Sequence, residues 1–114
     1  MSRIAYVNGR YVAHANAQIH IEDRGYQFSD GVYEVAAICR GRIIDEDGHL
    51  DRLKRSLREL RMSIPMAEAP FKLVCRETLR RNRVDNGIIY IQISRGVARR
   101  DHPFPDGVKS ALVM

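Results

Sequence analysis

The chain has 114 residues, of which 45% are hydrophobic, so it is long and apolar enough to form one folded domain rather than a disordered segment. Its net charge is +5, and 16 arginines against 3 lysines supply the basic side chains, a bias that suits bidentate binding of carboxylate or phosphate. The basic residues are interleaved with acidic ones and form no nucleic-acid-binding motif, so no nucleic-acid partner is expected.

Cysteine spacing and hydropathy exclude further classes of protein. Cys39 and Cys75 have no CxxC spacing and no histidine nearby in sequence, so we expect no metal site and two reduced, buried thiols. No apolar run is long enough to span a membrane, and the N-terminal segment lacks the apolar core of a signal peptide. These observations predict a cytoplasmic protein with no membrane partner.

Most of the sheet is predicted from short β-prone runs bounded by turn residues. The pair Asn8-Gly9 suits a two-residue hairpin turn between the first two runs, and the polar stretch His14–Asp30 is predicted to be an irregular connection. The predicted strands are Ile4–Val7, Tyr11–Ala13, Gly31–Cys39, Ile43–Ile44, Ile88–Arg95 and Lys109–Met114.

Two amphipathic helices are predicted between the strands. Leucines at helical spacing place the first at His49–Arg61, and the second begins near Pro70 and is closed by Asn86-Gly87. The second helix is expected to bury Phe71, Val74, Cys75 and Leu79. This order predicts an α+β fold, with both helices packed on one face of an antiparallel sheet.

Residues 1–114 are expected to form a single domain, because no repeat or low-complexity linker divides them. The last β-prone run ends without a closing polar turn, and natural domains seldom finish halfway along a strand that needs a neighbour. The sequence therefore predicts the first domain of a longer protein.

Tyr33 and Arg52 are the first candidate binding residues. Tyr33 lies in Asp30-Gly31-Val32-Tyr33-Glu34, and strand alternation turns it away from Val32 and Glu34, where it could enter a cleft. Arg52 precedes an inward-facing leucine and could lean toward the sheet to bind phosphate. The alternatives are a tyrosine at the edge of the core and one more solvated arginine on the helix.

Arg100 and His102 are a candidate carboxylate trap. They stand at alternate positions after Arg95-Gly96, where a guanidinium supplies charge and an imidazole adds a directed donor. Such a pair suits the α-carboxylate of an amino acid. The alternative is a polar loop whose charged residues are simply solvated.

Taken in order, the segments DRGYQFSDGVYE, HLDRL, IYIQISRG and RRDH resemble the D-amino acid aminotransferases, which are fold-type IV pyridoxal-phosphate enzymes. Branched-chain aminotransferases and aminodeoxychorismate lyases of the same group share the glycine-rich strand start. The Arg-x-His at Arg100 and the sequence Val-Tyr-Glu favour the D-amino acid branch. Ser29 stands where those enzymes often have glycine, which leaves the conformation of that loop open.

The resemblance implies the N-terminal domain of the fold-type IV aminotransferase fold, a homodimer and pyridoxal 5'-phosphate as cofactor. By resemblance, Arg52 would bind the cofactor phosphate and Tyr33 would line the substrate pocket. Arg100 and His102 would reach the substrate carboxylate from the partner subunit. The implied reaction is D-amino acid transamination, in which D-alanine and 2-oxoglutarate give pyruvate and D-glutamate.

No catalytic residue is assigned within the chain. In the family the Schiff-base lysine lies in the second domain, so it is expected beyond residue 114, and no motif marks Lys54, Lys72 or Lys109 for that role. This segment alone is therefore expected to be inactive. The alternatives are a branched-chain aminotransferase or aminodeoxychorismate lyase, a non-catalytic module that binds anions or dimerises, and a small arginine-rich RNA-binding domain.

Overall fold

A six-stranded antiparallel sheet is the framework of the protein in the computed structural model, which describes residues 3–114. Its strand order is β2-β1-β6-β5-β3-β4, so the first and sixth strands along the chain are neighbours. The six predicted strands are confirmed, with small shifts of their ends. They are β1 Ile4–Val7, β2 Arg10–Ala13, β3 Gly31–Cys39, β4 Arg42–Ile43, β5 Gly87–Ser94 and β6 Ala111–Val113.

Asn8 and Gly9 form the predicted turn between β1 and β2. Their φ angles are 47° and 95°, and positive φ at both central residues is what a hairpin turn of this kind requires. The turn is also tied to β6, because the Asn8 Oδ1 accepts a hydrogen bond from the Leu112 amide at 2.8 Å. The hairpin is thereby held against the last strand.

The connection after β2 is more regular than its sequence predicts. It contains a 3-10 turn at His14–Asn16 and a short helix, α1, at Arg24–Phe28. Asp23 caps α1 by accepting a hydrogen bond from the Gly25 amide at 2.8 Å. Ser29 ends α1 with a φ of 55°, which is the left-handed conformation that glycine would adopt most easily at this position.

Helix α2 spans Glu46–Glu59 and begins three residues before the predicted start at His49. The His49 amide donates a hydrogen bond to the Asp45 carbonyl at 2.9 Å, so His49 ends the first turn rather than beginning it. Two acids, Glu46 and Asp47, occupy that turn and are stabilised by the positive end of the helix dipole.

Helix α3 spans Glu68–Asn82, whereas the sequence predicts a start near Pro70. Pro70 lies in the first turn, where its missing amide leaves no hydrogen bond unmade. The helix ends before the predicted Asn86-Gly87 because Arg83 already adopts a left-handed conformation, with a φ of 53°.

The hydrophobic core lies between one face of the sheet and the helices α2 and α3, which confirms the α+β fold. Three leucines of α2 point into it, as their spacing predicts, and so do three of the four predicted α3 residues, while Val74 is half-buried. The largest of the fully buried side chains are Leu53, Ile93 and Leu112. No helix within residues 3–114 is long and apolar enough to cross a membrane.

The other face of the central strands is open. Tyr33 on β3 and Tyr90 on β5 are both exposed there, and their rings stack with centroids 5.4 Å apart and planes 9° apart. Cys39 is exposed at the end of β3, so the prediction of two buried thiols is wrong for this residue. Cys75 is buried as predicted, and burial raises the pKa of its thiol to about 12.

Candidate functional site

Glu34 is a carboxylate on the helix-facing side of β3, and its side chain is only 4% exposed. It accepts two hydrogen bonds from Arg52, from Nε at 2.8 Å and from Nη2 at 2.9 Å. His49 Nδ1 lies 2.7 Å from Glu34 Oε1. The Arg52 hydrogen bond lowers the pKa of the Glu34 carboxyl, burial opposes that shift, and His49 adds to it.

Arg52 therefore leans toward the sheet, and this separates it from the other arginines of α2. Its Nε and Nη2 are engaged by Glu34, while the side chain as a whole remains 65% exposed. The pKa of the guanidinium is raised, first by Glu34 and more weakly by the nearby Tyr33. One edge of the guanidinium is fixed by Glu34, and the N–H groups of the other edge remain available to a phosphate. The Arg52 donors therefore suit a phosphorylated cofactor.

Arg100 and His102 both lie near the ring of Phe28, the last residue of α1. The Arg100 Cζ lies 5.9 Å from the centroid of the Phe28 ring, and the His102 ring centroid lies 5.8 Å from it. Both residues are exposed on the loop between β5 and β6. No contact described within residues 3–114 joins this pair to Tyr33 or Arg52, so the chain presents two separate groups of predicted site residues.

A buried charge cluster that the sequence did not reveal lies under the loop. The Asp30 carboxylate accepts hydrogen bonds from Arg24 Nε at 2.8 Å, from Arg95 Nε at 2.7 Å and from Arg95 Nη2 at 3.1 Å. Burial opposes ionisation of Asp30, but the two guanidiniums outweigh it and hold the pKa of the carboxyl below its ordinary value. Arg95 also donates to the Leu60 carbonyl at 2.8 Å and so connects β5 to the end of α2.

Two of the three lysines take part in surface ion pairs rather than in either group. Lys72 Nζ lies 2.8 Å from Asp47, and Lys54 Nζ lies 3.4 Å from Glu68. Among residues 3–114, no cluster of histidine, cysteine and carboxylate side chains could hold a metal ion. Lys54 and Lys72 are therefore engaged by carboxylates outside the groups around Arg52 and Arg100.

We predict that Glu34→Gln flattens the dependence of stability on pH. Because the folded-state pKa of Glu34 is lowered, its contribution is present above the unfolded pKa of about 4.3 and is lost as the pH falls through the lower folded value. In urea unfolding between pH 3 and pH 7, the free energy of unfolding should fall less on acidification in Glu34→Gln than in the unaltered protein. The exposed Glu59→Gln on α2 is the control, and equal curves for both variants would contradict the prediction.

The comparisons with known proteins agree with this architecture. The family model described as amino-transferase class IV matches residues 31–114. A D-alanine aminotransferase of Staphylococcus haemolyticus is 36% identical over 109 residues, covering 96% of this chain and 39% of the relative. A D-alanine aminotransferase of Bacillus licheniformis is 39% identical over 101 residues, covering 89% of this chain and 36% of the relative.

Solved structures show the same fold. The branched-chain amino acid aminotransferase of Escherichia coli superposes with a TM-score of 0.90 at 18% identity, covering 99% of this chain and 38% of that one. The 4-amino-4-deoxychorismate lyase of Pseudomonas aeruginosa gives a TM-score of 0.74 at 25% identity, covering 96% and 37%. The chain thus spans less than half of the length of the relatives that it matches. Since the family model covers most of its residues, the chain belongs to the class IV aminotransferases.

Proposed function

We propose that this chain is the N-terminal domain of a longer, cytoplasmic D-amino acid transaminase that acts as a homodimer with pyridoxal 5'-phosphate. The proposed substrates are D-alanine and 2-oxoglutarate, and the products are pyruvate and D-glutamate. The observation that carries the proposal is the convergence of Arg100 and His102 on Phe28. Its support from relatives is the 36% identity to a D-alanine aminotransferase over almost the whole chain.

Arg52 is the proposed phosphate ligand. Glu34 accepts hydrogen bonds from its Nε and Nη2, which fixes the orientation of the guanidinium. The Arg52 side chain therefore loses little conformational entropy when its open edge binds a phosphate. Pyridoxal phosphate, when bound, accepts the amino group and withdraws electrons from the substrate α-carbon. The lysine that would hold this cofactor is expected beyond residue 114.

Tyr33, Arg100 and His102 are the proposed substrate contacts. The Arg100 guanidinium suits two parallel hydrogen bonds to the α-carboxylate, and the His102 ring adds a further directed donor. A carboxylate fixed in this way leaves only one enantiomer with its α-hydrogen directed toward the base. Because the loop does not contact Arg52 within residues 3–114, we propose that it serves the cofactor site of the partner subunit.

Arg100→Ala tests the proposal in the protein as its gene encodes it. Loss of a charge-assisted hydrogen bond of about 1.5–3 kcal/mol should raise the KM for D-alanine at least about tenfold. The dissociation constant of pyridoxal phosphate, followed by its visible absorbance, should stay unchanged because Arg52, not Arg100, is the proposed phosphate ligand. Initial rates with D-alanine and 2-oxoglutarate give the KM.

Arg99→Ala is the matched control, because Arg99 is an exposed arginine on the same loop. An unchanged KM in Arg100→Ala would remove Arg100 from the carboxylate site. Turnover of L-leucine in place of D-alanine by the unaltered protein would instead indicate a branched-chain aminotransferase, and pyruvate release from aminodeoxychorismate would indicate a lyase. An intact mass of 13.1 kDa for the natural gene product would leave a non-catalytic anion-binding or dimerisation module.

A further inference from the structure

Arg24 is a buried arginine that contacts the loop between the two proposed carboxylate ligands. Its side chain is 3% exposed, and its Nη1 donates a hydrogen bond to the backbone carbonyl of Asp101 at 2.7 Å. Asp101 stands between Arg100 and His102 in the sequence, so one hydrogen bond reaches the peptide that both residues flank. Nothing in the sequence pattern marks Arg24 for this role.

Arg24 is itself held from three directions. Its Nε donates to Asp30 Oδ2 at 2.8 Å, and its backbone amide donates to the Gly96 carbonyl at 2.9 Å. Its Cζ lies 4.6 Å from the centroid of the Phe28 ring. Phe28 is the same ring that Arg100 and His102 approach, so Arg24 and the two loop residues share one aromatic neighbour.

We propose that Arg24 is a positioning residue for the carboxylate trap, which it holds in place through the Asp101 carbonyl. This inference rests on the proposed function of Arg100 and His102. Arg24 would touch neither substrate nor cofactor. It fixes the peptide between the two ligands, and the loop therefore meets a carboxylate with less loss of conformational freedom.

The geometry requires arginine rather than lysine at this position. A guanidinium offers donors in a rigid fork, so Nε reaches Asp30 while Nη1 reaches Asp101. An ammonium group keeps the charge beside Phe28 but concentrates its donors at one atom. Arg24→Lys is therefore expected to keep the contact with Asp30 and to release the loop.

Kinetics of the protein as its gene encodes it provide the first test. Arg24→Lys should raise the KM for D-alanine about tenfold, the equivalent of one hydrogen bond to a charged group, with a change in kcat of less than about threefold. In an Arg100→Ala background the same substitution should raise the KM by clearly less than tenfold, because only the contribution of His102 is left to lose. Additive effects, or a KM that does not change, would overturn the inference.

Arg95→Lys is the matched control, because Arg95 binds the same Asp30 but donates to the Leu60 and Arg61 carbonyls just after α2 instead of Asp101. Its contact with the loop is the Phe104 ring, 4.0 Å from its Cζ, where lysine keeps the positive charge. Arg95→Lys should lower the melting temperature about as much as Arg24→Lys does, because each weakens the ion pairs of Asp30. It should leave the KM for D-alanine within about twofold of the value for the unaltered protein. If both lysine variants raise the KM equally, Arg24 has only a structural role.

A spin label on the loop separates this inference from the proposed function. In a Cys39→Ser background, a nitroxide at Arg99→Cys reports the mobility of the loop without substrate or cofactor. Its spectrum should sharpen when Arg24→Lys is added and stay unchanged with Arg95→Lys. If the protein shows no D-alanine transamination, the proposed function fails while this result still decides whether Arg24 holds the loop. An unchanged spectrum with Arg24→Lys would overturn the inference.

Discussion

Asp30→Asn is expected to lower the free energy of unfolding by about 3–5 kcal/mol, because it removes the only carboxylate between two buried guanidiniums described in the cluster. The side chains of Arg24 and Arg95 are 3% and 9% exposed, so water cannot replace the lost charge without opening the structure. The side-chain NH2 of asparagine would also face the N–H donors of the Arg24 and Arg95 guanidiniums, where no acceptor remains for it. Urea denaturation of the unaltered and the variant protein at pH 7 measures the difference.

Asp51→Asn is the control for Asp30→Asn, since Asp51 is exposed on α2 and the same change there should cost less than about 0.5 kcal/mol. A loss below about 1 kcal/mol for Asp30→Asn would mean that the cluster relaxes or admits water. The loop that carries Arg100 would then be anchored more weakly than the distances indicate.

Gly96→Ala is expected to destabilise the protein by about 2–6 kcal/mol, from backbone strain of about 1–3 and overpacking of about 1–3 kcal/mol. Gly96 has a φ of 107°, and an added Cβ would overlap the backbone carbonyl of Lys109. The Lys109 carbonyl belongs to the backbone, so it cannot rotate out of the way as the end of a flexible side chain can. The segment that leads into β6 would have to shift, and thermal unfolding would record the loss.

Gly9→Ala separates the two contributions. Gly9 has a similar φ of 95°, but an added Cβ there meets nothing within 4 Å. It should therefore show only the backbone strain, about 1–3 kcal/mol. Equal losses in the two variants would mean that the approach of Lys109 to Gly96 contributes nothing to stability.

Local chemistry explains what the sequence could predict of the fold. The hairpin follows from Asn8-Gly9, since few other pairs accept positive φ at both turn residues. Helix α2 follows from its leucines, but its first turn carries Glu46, Asp47 and Gly48, which add no apolar residue to the pattern. Helix α1 was missed because five residues make only a little more than one turn, although Asp23 two residues before Gly25 is a capping signal.

The sequence could nominate candidate site residues only from their type and local position. Strand alternation turns Tyr33 away from the core, and Arg100 and His102 stand at alternate positions on one loop, but their binding roles stay predictions. Glu34 was missed although alternation turns it inward, and a carboxylate on the core face of a strand requires a partner. Asp30 and Arg95 are 65 residues apart, so no local pattern could join them.

The pairing of β1 with β6 sets the order in which this sheet can form. Tyr6 and Met114 exchange backbone hydrogen bonds of 2.9 Å, although the hairpin is synthesised before residues 111–114 by about a hundred residues. Contacts this distant in sequence slow folding, because the intervening chain must lose its freedom before they form. On the ribosome the edge of the hairpin that later receives β6 therefore stays open, and until then it is available to pair with another nascent chain.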